Sequence, residues 1–152
     1  MSQYRTAVIA CGIIARVHAR GWLGLPGTPT VIGALADTNP DARRDFGDFF
    51  GVGEEHRYAD YREMLDAERP DFVDVCSWHQ QHAEMVIAAA ARRPKAIICQ
   101  KPMAVDLGEA EGGMNLVAVG QLHQLGAPGG AAGMEEGADR VALLGRPEGQ
   151  RL

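Results

Sequence analysis

Lysine is scarce in this 152-residue sequence: Lys95 and Lys101 stand against 13 arginines. Basic residues as a whole number 15 against 20 acidic ones, a net charge of -5. That balance offers no basic surface to recruit nucleic acid or an acidic membrane. Cysteines are few, odd in number and unpaired in spacing (Cys11, Cys76, Cys99), which excludes a disulfide framework and a C-x-x-C zinc site. Reduced thiols in a cytoplasmic protein are the expectation. The longest apolar run, Met85 to Ala91, is far short of the ~20 residues that span a bilayer, and Met1 to Arg5 lack the basic and apolar regions of a signal peptide. No membrane partner and no export are expected.

Aromatic residues are absent after Trp78, and neither Ile nor Thr follows Ile98. The strand-forming and core-filling types therefore belong to the front of the chain. From Gly112 onward glycines recur among Ala, Pro and Arg and interrupt any period. Length alone fits one domain. The expected division is a folded region over 1–111 and a divergent, weakly ordered tail over 112–152.

The front part alternates strand and helix patterns. Apolar runs at Thr6–Ala10, Thr30–Ala36, Asp71–Cys76 and Lys95–Cys99 have the length of buried strands. Helical segments are expected at Ile13–Leu23, from Asp37-Thr38-Asn39-Pro40 to about Phe50, at Tyr61–Glu68 and at Gln80–Arg92, with a short element at His56–Ala59. Continuous apolar strands separated by helices indicate a doubly wound, mostly parallel α/β sheet of the Rossmann type. Ligands bind such sheets at the carboxyl ends of the strands.

The first strand leads into Ala10-Cys11-Gly12-Ile13-Ile14-Ala15, a G-x-G-x-x-G frame that keeps its central glycine. Gly12 stands where a missing Cβ lets backbone approach a pyrophosphate, and the helix start after it, Ile13 and Ile14, offers N–H groups. Ala15 is allowed at the third position, whereas Ala10 restricts a turn that glycine makes freely. Asp37 ends the second strand 25 residues after Gly12, near the usual ~20-residue spacing of the acid that holds a ribose 2′-hydroxyl. A helix N-cap is the plainer role for Asp37 or Thr38. A carboxylate there repels a 2′-phosphate, so NAD is favoured over NADP. Arg43 and Arg44 lie in the next helix, with solvated surface as their expected place.

Five segments, in order, carry a resemblance: ACGIIA with His18 in the following helix, ALAD-x-NP, YADYREML, DFVDVCSWHQQHAEMVIAAA and IICQKPMAVDLGEAE. Together they resemble the N-terminal domain of the Gfo/Idh/MocA oxidoreductases, from about Arg5 to Glu111. That resemblance implies an NAD(P)-dependent oxidoreductase moving a hydride to or from a sugar- or polyol-like alcohol. It also implies roles for individual residues. Lys101 matches the lysine of the family's E-K-P signature, near nicotinamide and substrate, and is the implied catalytic group. Gln100 stands in place of the signature Glu, and Pro102 matches a proline often preceded by a cis peptide. Ser77, Trp78, His79 and His82 occupy the family's T-P-N-x-x-H segment beside the dinucleotide, with Trp78 and His79 departing from Pro and Asn.

His79 and His82 lie one helical turn apart, but no third ligand accompanies them, so no metal is expected. The resemblance implies a C-terminal α/β substrate domain in complete members, and none is expected within these 152 residues. The alternative to an active oxidoreductase is a non-catalytic dinucleotide-binding module or a truncated, frameshifted remnant. A methyltransferase reading leaves QKP and SWHQQH unexplained.

Overall fold

The computed structural model describes residues 3–102, Val105 and 142–144. Four strands and a short fifth alternate with four helices in chain order: β1 (Tyr4–Ile9), α1 (Ile13–Leu23), β2 (Thr30–Ala36), α2 (Pro40–Phe50), β3 (Arg57–Tyr58), α3 (Tyr61–Glu68), β4 (Phe72–Val75), α4 (His82–Ala91) and β5 (Ala96–Cys99). A three-residue β6 (Ala142–Leu144) follows. The sheet order is β3-β2-β1-β4-β5-β6. The first five strands run parallel, and β6 pairs antiparallel with β5. The doubly wound order reverses between β1 and β4, and that switch point is where such folds open a crevice. The 112–152 tail expected from the sequence lies outside the described residues except for β6, which the glycine-rich composition there did not suggest.

Strand alternation explains why the apolar runs are unbroken. Ala7, Ile9, Ala34, Ala36, Val73 and Val75 point to one face and meet Met64, Leu65, Val86 and Ala89 of α3 and α4. Val8, Ile32, Leu35 and Phe72 point to the other and meet Ala15, Ala19 and Trp22 of α1 and Phe46 of α2. Both faces are covered, so the strand positions that face the helices are mostly apolar. Among the described strand residues Asp74 is a fully buried charge, between Val73 and Val75 on the α1 side.

Helix starts differ in a way that matters for the site. Asn39 caps α2, accepting from the Asp41 and Ala42 amides, with Pro40 in the first turn. Asp60 caps α3 through the Arg62 amide. The cap of α2 is therefore Asn39, not Asp37 or Thr38, because Asn39 sits directly before Pro40 with its side chain over the first free amides. Gly12, the N-cap residue of α1, supplies no side chain, and no acidic residue lies in that first turn. The first-turn amides of α1 are left for an outside partner.

Candidate functional site

At the carboxyl ends of β1, β2 and β4 lies a cleft of about 450 Å³. Six residues singled out from the sequence line it: Ala10, Gly12, Ile14, Asp37, Ser77 and Trp78. Thr38, Ala59, Tyr61, Cys76, Gln81 and Met85 line it as well and were not read from sequence as site residues. Ala59 and Tyr61 follow β3, so the rule that parallel strands open their ligand site at their carboxyl ends was the signal available for them.

The glycine turn is built as the motif requires. Ala10 adopts φ +69°, the left-handed conformation that a glycine takes without penalty. Gly12 has φ −72° and ψ −171°, and a Cβ built on it meets nothing within 4 Å. Packing within the protein does not demand this glycine. Its missing side chain instead leaves the approach to the α1 N-terminus open, the arrangement that suits a diphosphate. Ile13 starts the helix beside the cleft and is 87% exposed.

Asp37 ties the two crossing loops together. One carboxylate oxygen accepts the Cys11 amide at 2.8 Å, and the other accepts the Asn39 amide at 2.8 Å. Charge-assisted acceptors of this kind retain lone pairs for a further donor. Arg43 does not simply face solvent as expected: its guanidinium reaches back to the carbonyl oxygens of Asp37 at 2.6 Å and Thr38 at 3.3 Å. An arginine six residues after Asp37, in the first turn of α2, can fold back over the loop before the helix. Trp78 is 77% exposed at the opposite wall.

The remaining sequence-predicted residues stand beside the cleft or behind it. His79 begins a short 3-10 turn, His79–Gln81. His82 is buried, with Nε2 2.9 Å from the Ser77 carbonyl oxygen and Nδ1 2.7 Å from that of Pro102. It thus fastens the loop after β4 to the loop after β5. Gln100 is buried, while Lys101 and Pro102 are exposed at the end of β5, joined by a cis peptide as the resemblance implies. Gln100 Oε1 accepts the Lys101 amide at 2.7 Å.

Behind these loops is a polar group that sequence reasoning missed. Asp74 accepts from Trp22 Nε1 at 2.7 Å and faces His18 Nδ1 at 3.0 Å, while Cys76 Sγ approaches the same carboxylate at 3.3 Å. The signal was present: a charge in the middle of an apolar parallel strand, and His18 and Trp22 four residues apart on one helix face. Ligating atoms of His18, Asp74 and Cys76 lie within 4.8 Å of one another, bound to each other by these hydrogen bonds. All three thiols are held protonated. Burial, reinforced by Asp37, pushes Cys11 up to about 12; burial with Asp74 pushes Cys99 up to about 12 and Cys76 higher still.

Among the described residues no helix is long and apolar enough to cross a membrane. Residues 4–120 match the model of the oxidoreductase family with an NAD-binding Rossmann fold, GFO_IDH_MocA. The chain is similar to the D-apiose dehydrogenase of Paraburkholderia graminis, 36% identical over 110 residues, covering 72% of this chain and 28% of that one. It is also similar to the myo-inositol 2-dehydrogenase of Thermotoga maritima, 31% identical over 107 residues, covering 70% of this chain and 30% of the relative. Among solved structures, an oxidoreductase from Agrobacterium radiobacter in complex with NAD+, L-tartaric acid and magnesium superposes with a TM-score of 0.68 at 31% identity, over 76% of this chain and 32% of that one. The chain thus spans about a third of the length of the proteins it matches. Its strand order, its uncapped glycine turn and these likenesses agree: the chain belongs to the Gfo/Idh/MocA oxidoreductase family and carries that family's NAD-binding Rossmann fold.

Proposed function

We propose that this chain is the dinucleotide-binding part of an oxidoreductase that moves a hydride to or from a sugar- or polyol-like alcohol. The observation that carries the reading is the start of α1, uncapped and preceded by a glycine whose Cβ position is open. In this reading the Gly12, Ile13 and Ile14 backbone holds the pyrophosphate, with Ala10 shaping the turn. Asp37 accepts from the adenosine ribose hydroxyls, and its charge favours NAD over NADP. Ser77 and Trp78 form the wall on the β4 side, with His79 next to it, and the exposed Trp78 indole offers a flat face to a ring. His82 and Gln100 brace the loops, and Lys101-Pro102 lie at the nicotinamide end.

NAD, when bound, supplies the hydride acceptor. The protein's part is to hold the alcohol and manage its proton. Lys101 is the catalytic residue in this reading: its ammonium hydrogen-bonds the substrate hydroxyl and stabilises the negative charge that develops on that oxygen. Substrates belong to the sugar and polyol class, as the names of the similar dehydrogenases suggest. The chain spans about a third of the length of these relatives, and the roles assigned in this reading are those of the cofactor side.

Competitive titrations of NADH and NADPH test the cofactor reading. NADH is expected to bind more tightly, and Asp37→Asn to narrow that preference by removing the charge facing the 2′ position. An equal preference before and after the substitution would remove Asp37 from the ribose site.

A further inference from the structure

A chain of polar side chains runs through the protein interior from α1 to the Lys101 turn. Asp74 is fully buried and accepts from Trp22 Nε1. His18 Nδ1 meets that carboxylate at 3.0 Å, and its Nε2 lies 3.4 Å from Gln100 Nε2. Gln100 Oε1 in turn accepts the Lys101 amide.

These contacts fix where the protons sit. The Lys101 N–H requires an acceptor, so Gln100 must turn its oxygen to Lys101 and its NH2 to His18. An amide NH2 only donates, so His18 Nε2 must present a lone pair to it. Nδ1, against a carboxylate, then carries the hydrogen and donates it to Asp74. His18 is therefore the neutral Nδ1–H tautomer. A proton added at Nε2 sets donor against donor. Gln100 relieves the conflict by turning its oxygen to His18, which takes that oxygen away from the Lys101 amide.

We propose that Asp74 and His18 are positioning residues that act through Gln100 on the Lys101 turn, and that protonation of His18 loosens that turn. The functional meaning rests on the reading that Lys101 faces the nicotinamide end of the cleft; the proton assignment does not. Among the described residues, Asp74 and Cys76, from β4 and the loop after it, are titratable groups that meet the ring. Asp74 favours the protonated ring, the Gln100 amide opposes it, and Cys76, kept as a neutral thiol by burial, adds no charge. Replacing the amide by a carboxylate reverses the balance, because Glu at this position accepts from both the Lys101 amide and a protonated Nε2.

The test is nuclear magnetic resonance of the 152-residue chain with 15N-labelled histidine, the His18 signals being identified by their loss in His18→Asn. At neutral pH the wild type should show a protonated-type Nδ1 and an unprotonated-type Nε2. In Gln100→Glu both nitrogens should be protonated, with the His18 titration moved to higher pH by at least about one pH unit. The Lys101 amide signal should shift with His18 titration in the wild type and stay still in Gln100→Glu. NADH affinity of the wild type should fall by about threefold to tenfold through the same pH range, the factor of one lost hydrogen bond, and Gln100→Glu should not show this fall. A wild-type His18 protonated at Nε2 at neutral pH, an unmoved titration in Gln100→Glu, or a Lys101 amide indifferent to His18 each overturns the proposal. The expected nitrogen and amide shifts without NADH binding at any pH uphold the relay and overturn the cofactor reading instead.

Discussion

Gly12→Ala separates a glycine kept for a ligand from one kept for the fold. The backbone at Gly12, φ −72° and ψ −171°, is open to any residue, and the added methyl meets no atom within 4 Å. Nothing in the folded protein resists the change. The unfolded chain loses freedom, a gain of about 0.4–1 kcal/mol that offsets the poorer N-cap an alanine makes, so stability should hold or rise slightly. Bound dinucleotide changes the sign. A methyl placed where a diphosphate approaches the α1 amides crowds it as an overpacked core does, at a cost of about 1–3 kcal/mol, which is about fivefold to 160-fold in Kd. Urea denaturation and NADH fluorescence titration on the same two proteins give the two numbers. Equal or higher stability with weakened NADH binding is the expected pair. Unchanged affinity would refute a diphosphate seated at Gly12, and a loss of stability would refute the claim that the glycine is free of packing demands.

Other substitutions follow from the same geometry. Ala10→Gly should stabilise the chain, since relief of the left-handed strain at φ +69°, about 1–2 kcal/mol, exceeds the ~0.5–1 kcal/mol entropy cost of a glycine; a lowered midpoint in thermal melting would refute that strain. Asp37→Ala removes the acceptor of two backbone amides and should cost about 1–3 kcal/mol in urea denaturation, even without cofactor. Burial pushes the Glu68 carboxyl up, but hydrogen bonds from Tyr58, His56 and Arg5 outweigh it and hold it below its ordinary value. Its contribution is therefore complete above the usual Glu range and lost as pH falls through the lowered folded value. The stability gap between wild type and Glu68→Gln should close on acidification below about pH 4.3, and a gap independent of pH would contradict this. Cys11, Cys76 and Cys99, buried and held protonated, should resist a thiol reagent in the native protein and react together on unfolding; fast native labelling would contradict the burial.

The parallel sheet was legible because its strands are buried on both faces, and such strands read as unbroken apolar runs. Helix α1 begins at Ile13 and ends at Leu23, as its pattern predicts, and α2 and α3 likewise match their expected ranges. Ends without a strong signal moved: the expected strand Asp71–Cys76 contracts to Phe72–Val75, and the start of the Gln80–Arg92 helix is a 3-10 turn followed by α4 at His82. The part of the cleft lined by Ala10, Gly12 and Asp37 was legible because each feature is local. A glycine turn, an acid ending a strand and a free helix start all follow from neighbours in sequence. His82 and His18 were not legible in this way, since their partners lie 20 and 56 residues away. A histidine's spacing does not reveal whether it faces a ligand, a carbonyl or a buried carboxylate. Asp74 stands out in sequence as a charge within an apolar strand, but its partner Trp22 is 52 residues distant.

Calorimetric titration of NADH into the 152-residue chain tests the central claim most directly. The account predicts saturable binding of one NADH per chain, displaced by NAD+ and weakened by Gly12→Ala. A folded chain that gives no saturable binding would contradict it.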